Sequence, residues 1–182
     1  LLGLYHLDLL NLITQFIMIP VYIALYAVNR QTNNAWTFIT LIIFLIGTAF
    51  FITNNSALPM YDLSLKYNST TSENQKFLFA AAGEALLARG AHGGYGVFIG
   101  FFLSSIAGLL ISLIMFTGNI FNKLTSWFGI AGSILMCMYV IFVTFVPGIK
   151  SLAMLFSLLG GLLLMSWMIM FCIRLFELGR TK

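Results

Sequence analysis

Residues 36–53, WTFITLIIFLIGTAFFIT, run without one charged side chain. Such a run fixes the solvent before it fixes the fold. About twenty apolar residues in a helix cross the ~30 Å hydrocarbon core of a bilayer. Inside lipid the backbone must satisfy its own N–H and C=O groups, which leaves helices or a closed barrel. The apolar runs here are long and continuous and do not alternate with period two, so helices are expected.

Four further segments read the same way, giving five spans at about 7–28, 36–53, 95–117, 125–146 and 151–176. The expected fold class is all-α, a polytopic transmembrane helical bundle forming a single domain over 1–182. Composition agrees: 60% of residues are hydrophobic and 8% charged, against roughly 25% charged in soluble domains. The turns NRQTNN, GNIFNKL and PGIK are short, so neighbouring spans run antiparallel. One connection is long, 54–94. Its second half, FLFAAAGEALLARG, reads as one short helix with Ser72 before it and Gly90 behind it. At this length it lies at the interface or caps the bundle rather than spanning it.

The net charge of +4 is spread over segment ends and forms no basic cluster with interleaved aromatics. That pattern fits anionic headgroups and excludes nucleic acid as a partner. Arg30, Lys123, Arg174, Arg180 and Lys182 fall on the NRQTNN side, which the positive-inside rule makes cytoplasmic, with the C-terminus inside. The chain begins with Leu1 and the five spans put that residue outside, so a further N-terminal helix, six spans in all, is expected. The 54–94 loop is then external, and it holds two glycosylation sequons, at Asn54 and Asn68. Cys137 and Cys172 lie within apolar runs and read as small hydrophobes.

Polar residues within so apolar a chain are the candidates for function. The stretch AAAGEALLARGAHGGYG, residues 80–96, holds Glu84, Arg89 and His92. One reading makes Glu84 a proton acceptor and His92 a relay at the mouth of the bundle. The other makes them the polar face of an interfacial helix, with Arg89 snorkelling to headgroups. Small residues around Glu84 would let another backbone approach and desolvate the carboxylate. In the first span Asp8, Asn11, Gln15, Tyr22, Tyr26 and Asn29 recur at helical spacing on one stripe. Such a stripe faces protein or water, as interhelical hydrogen bonding or as a cavity wall. Pro20 in this span is a possible kink site. Gly100, Ser104 and Gly108, Gly129 and Ser133, and Ser157 and Gly161 sit four apart and mark close helix packing.

No zincin, nucleophile-elbow or Walker pattern occurs, and the two histidines, His6 and His92, do not assemble a usual metal site. No cofactor and no metal is expected. The expected partners are membrane lipids, with other membrane subunits or a second copy of the chain as further candidates.

The block NSALPMYDLSLKYNSTTSENQKFLFAAAGEALLA resembles a block in the DUF4386-like family of bacterial and archaeal multi-pass membrane proteins. The matching positions are Asn55, Leu63, Ser64, Tyr67, Thr70, Thr71, Ala81, Ala82, Gly83 and Glu84. Phe121, Thr125, Trp127, Gly129 and Ile130 are similar to the start of a later span of the family, and SWMIMFCIRLFELG to its ending. The resemblance implies a multi-span helical fold that begins one helix earlier, and no activity. The expected function is therefore a non-catalytic structural, accessory or lipid- or partner-binding subunit of the cell membrane. The alternative is a small-solute or proton-coupled transporter using Glu84 and the first-span stripe. A weaker alternative is an intramembrane lipid-acting enzyme built on Glu84, Arg89 and His92.

Overall fold

The computed structural model describes residues 2–90 and 94–180, with side-chain surroundings from residue 9 onward except at 57, 58, 89, 90 and 150. Six helices follow in order: α1 (Leu2–Thr53), α2 (Ala57–Ser69), α3 (Glu73–Gly90), α4 (Tyr95–Thr117), α5 (Lys123–Phe145) and α6 (Lys150–Arg180). The described residues include no strand.

Four helices, α1, α4, α5 and α6, are long and apolar enough to cross a membrane, where the sequence reading gives five spans. The difference lies in α1, a helical segment of 52 residues that takes in the first two expected spans. It is not straight. Asn33 has φ −157° and ψ 97°, outside helical geometry, and the two arms on either side fold back on each other. Thr48 Oγ1 donates to Gln15 Oε1 at 3.4 Å, Tyr22 stacks on Phe44, and Tyr26 meets Phe38. The residue numbers in each pair rise on one arm as they fall on the other, which defines an antiparallel hairpin.

The reversal is built from asparagines. Asn33 Oδ1 accepts from Trp36 N at 3.2 Å, as an N-cap does at the start of a helix. The Asn33 carbonyl accepts from Thr37 Oγ1, and Asn34 Oδ1 accepts from Tyr26 OH at 3.1 Å across the hairpin. The break therefore falls at Asn33, where side-chain amides replace lost backbone bonds. The backbone stays helical through Pro20, which is exposed and gives no N–H to the carbonyl four residues earlier.

The remaining spans join through small residues. A Cβ on Gly47 would lie 3.1 Å from Ser104 N and 3.2 Å from Gly100 O, so the second arm of α1 crosses α4 nearly backbone to backbone. A Cβ on Gly108 of α4 would lie 2.8 Å from Ser133 Oγ of α5. At the α5–α6 crossing a Cβ on Gly160 would lie 3.2 Å from Gly132 O. This corrects the sequence reading by one residue, since a Cβ on Gly161 would meet nothing within 4 Å. The core follows these crossings. One cluster gathers Tyr22, Leu25, Phe44, Ile111, Met115, Trp167 and Phe171. A smaller one gathers Tyr139, Val140 and Ala153, with Phe98, Phe102 and Phe156 packed around it.

Three contacts sort the ends of the bundle. Gly118, after α4, faces Thr32 beside the α1 reversal, and Arg174 of α6 bonds Ile120 in the α4–α5 turn. The reversal, the α4–α5 turn and the end of α6 therefore share one end. Asn54 packs against Gly96 at the opposite end, where α2 and α3 branch off.

The segment between α1 and α4 holds two helices where one was expected. Pro59 falls in the first turn of α2, the position where its missing N–H costs nothing. Lys66 and Asp62 pair at 2.6 Å along α2. Thr70 N donates to Lys66 O at 3.2 Å and closes the helix, and Thr70 Oγ1 donates to Gln75 Oε1 at 2.6 Å, linking α2 to α3.

Candidate functional site

Polar residues gather in three places. The first is the α2–α3 hairpin. Glu84 lies on α3 and is exposed, with Ala80, Ala81, Ala82 and Ala85 exposed around it. A Cβ on Gly83 would meet nothing within 4 Å. The small residues beside Glu84 thus admit no neighbouring backbone, contrary to the desolvation expected from them, because α3 packs chiefly on α2. Phe77 and Leu78 are 74% and 64% exposed, so the hairpin keeps apolar side chains outside the protein. The Arg89 side chain and His92 lie outside the described residues.

The second place is the stripe on the first arm of α1. Asn11 is exposed and the Asp8 side chain lies outside the described residues. Gln15, Tyr22, Tyr26 and Asn29 turn toward protein: Gln15 onto Thr48, Tyr26 onto Asn34, and Asn29 Nδ2 onto Leu25 O at 2.9 Å. Thr37, Thr40 and Thr48 are buried on the facing arm, and Thr40 Oγ1 donates to Trp36 O at 2.8 Å. The seam continues where α4, α5 and α6 meet. A Cβ on Gly129 would collide with Ser112 Oγ and lie 2.6 Å from Trp167 Nε1. Ser112 donates to Gly108 O at 2.7 Å. Asn29 Oδ1, Ser126 Oγ, Ser133 Oγ and Trp167 Nε1 are buried without a hydrogen-bond partner among the described residues, which is costly in so apolar a setting. Sequence reasoning found Asn29 and Ser133 but not Ser112, Ser126 or Trp167. Ser112 continues the four-residue ladder of Gly100, Ser104 and Gly108, and Ser126 precedes Gly129 and Ser133 at helical spacing, so the serines carried a periodic signal, whereas Trp167 carried none.

The third place was not anticipated. A cleft of about 510 Å³ opens between the α4–α5 turn and the last turns of α6. Asn119, Ile120, Phe121, Asn122, Thr125, Met170, Ile173, Arg174 and Glu177 line it. Arg174 Nε donates to Ile120 O at 2.9 Å, and Arg174 Nη1 pairs with Glu177 Oε2 at 2.9 Å. Asn122 caps α5 by accepting from Leu124 N at 3.1 Å. Nearby, Lys123 Nζ lies 5.8 Å from the Phe116 ring centroid, and Trp127 meets the same ring edge-on at 5.3 Å. A lysine and a tryptophan at a span end are residue types that anchor helices at a membrane interface. The available signal was an asparagine-rich turn, with an arginine and a glutamate one helical turn apart near the end of the last span.

Among the described residues no group of His, Cys, Asp and Glu could hold a metal ion. The geometry is that of an all-helical membrane protein whose interior polarity is largely taken up by helix contacts and whose charged groups sit at its ends. The chain belongs to the family described as a domain of unknown function, DUF4386, whose model matches residues 7–172. Neither the curated proteins nor the solved structures gave a match.

Proposed function

We propose that this protein is a non-catalytic accessory subunit of the cell membrane that binds phospholipid at its surface. The cleft at the α4–α5 turn carries the reading. It places an arginine, a glutamate and two asparagines on an apolar wall at one end of the bundle. Polar heads above apolar walls are what a lipid presents and what such a cleft complements. Arg30, Lys123, Arg174 and Arg180 belong to that same end, and the positive-inside rule makes it cytoplasmic, with the C-terminus inside. The close glycine crossings support a packed body rather than a permeation path. Extraction in mild detergent followed by native mass spectrometry tests the reading. Lipid that stays bound through purification is the expected result, and a lone lipid-free monomer would overturn it.

A second reading, a small-solute or proton-coupled transporter, draws on the unpartnered atoms of Asn29, Ser126, Ser133 and Trp167. Those groups would be satisfied by water in a conformation that opens the seam. Flux into proteoliposomes, compared among wild type, Asn29→Leu, Asp8→Asn and Glu84→Gln, separates the two. Transport lost in Asn29→Leu or Asp8→Asn favours the second reading, and the absence of flux in all four favours the first.

A further inference from the structure

We propose that the cleft between the α4–α5 turn and the end of α6 recognises a zwitterionic headgroup, one phosphodiester with one primary ammonium, carried by a phospholipid of the ethanolamine type. The inference rests on the lipid-binding reading above and assigns it a headgroup class.

The charge of the cleft makes the selection. Its lining has one cation, Arg174, and one anion, Glu177, 2.9 Å apart. A purely anionic headgroup seated on Arg174 would lie against the Glu177 carboxylate and be repelled. A zwitterion sets its phosphate on the guanidinium and its ammonium on the carboxylate. Arg174 is fixed for this role from outside its own helix, because Nε is held by Ile120 O at 2.9 Å. A guanidinium has five N–H donors in a rigid fork matched to phosphate oxygens. The bonds to Ile120 and Glu177 use two of them. A carboxylate has about four acceptor positions and can take more than one donor at once, so an ammonium can share Glu177 with Arg174.

The neighbouring polar groups point the same way. Asn119 and Asn122 both belong to the lining, and the Asn122 cap engages its oxygen. The first turn of α5, which brings Thr125 to the lining, adds the positive end of a helix dipole to the cleft. A primary ammonium donates hydrogen bonds to a carboxylate, whereas a quaternary one is recognised by an aromatic cage. Phe121 is the one aromatic residue in the lining, so no cage is formed. Below the headgroup, Ile169 and Ile173 are 59% and 57% exposed on α6 and continue the apolar wall along the span, a track for an acyl chain.

The test uses the full chain in mild detergent, offered an equimolar mixture of phosphatidylethanolamine, phosphatidylcholine and phosphatidylglycerol with matched acyl chains. Native mass spectrometry counts what is retained. The expected result is about fivefold preference for the ethanolamine lipid, the upper range for a partly exposed charge pair. Glu177→Gln abolishes the preference, and Arg174→Gln weakens retention of all three lipids. Asn119→Leu lowers retention without touching the ion pair, and serves if Arg174→Gln does not extract as folded protein. Soluble glycerophosphoethanolamine should displace the lipid only in large excess, and equal potency would overturn a lipid as the occupant. Equal retention of the three lipids by wild type, or a preference unmoved by Glu177→Gln, overturns the headgroup assignment and leaves lipid binding standing. Retention of none of them overturns both.

Discussion

Tyr22 and Phe44 stack with ring centroids 3.7 Å apart and planes 3° from parallel, joining the two arms of α1. Both residues are buried, at 4% and 3% exposure. The pair is thus a clamp between two segments that the chain reverses at Asn33 to bring together. Phe44→Ala should destabilise the fold by about 3 kcal/mol, the lower range for emptying a buried aromatic site. Tyr22→Phe keeps the stack and should cost less than about 1.5 kcal/mol. Reversible unfolding in mixed micelles measures both, and equal losses in the two variants would remove the clamp from the account.

The reversal itself depends on Asn33. Replacing its cap with Asn33→Ala should cost about 1 kcal/mol, and Asn33→Ser should recover most of that loss. Asn33→Leu has a different consequence. A straight helix of 52 residues would measure about 78 Å at 1.5 Å per residue, more than twice the hydrocarbon thickness. Disulfide trapping between cysteines placed at 15 and 48 reads the hairpin directly. It should be efficient in wild type and Asn33→Ser and weak in Asn33→Leu.

Glycines that look alike in the sequence should differ in effect. Gly129→Ala drives a methyl group into Ser112 Oγ and Trp167 Nε1, and should cost about 1–3 kcal/mol as overpacking. Gly83 has open space around it. There Gly83→Ala should stabilise α3 by about 0.5–1 kcal/mol through helix propensity. Gly161→Ala, also in open space, should be neutral or mildly stabilising. Thermal unfolding of the three variants in one detergent gives the ordering.

Glu84 stands exposed on α3. Glu84→Gln should therefore change stability by less than about 0.5 kcal/mol, as exposed surface substitutions do. A larger loss would mean that the carboxylate has a partner in the membrane-bound protein.

The spans were readable because lipid leaves so few backbone solutions. Residues 95–117 in the sequence reading coincide with α4, Tyr95–Thr117. The Gly100, Ser104 and Gly108 ladder was readable too, because close approach of two backbones requires small side chains at a fixed period. What escaped depended on distance along the chain or on weak local signals. Helix α2 was hidden by low apolar content and by Pro59, which ends most helices and here begins one. Glu84 drew attention because its neighbours are small, and small neighbours permit burial without causing it. The cleft was not readable because Ile120 and Arg174 are 54 residues apart. Only the folded chain joins the turn to the last helix.

The order of packing bears on how the protein is made. Helices α5 and α6 each pack on the helix synthesised just before them, whereas α4 packs back on α1. The α1 hairpin can close as soon as it emerges, since both arms are adjacent in the chain. Its outer partner arrives only after α2 and α3 have been synthesised. Until then the Gly47 face waits in the bilayer, covered by lipid or by an insertion factor. Slowing translation across residues 57–90 would lengthen that wait, and with it the window in which quality-control proteases meet a half-assembled bundle.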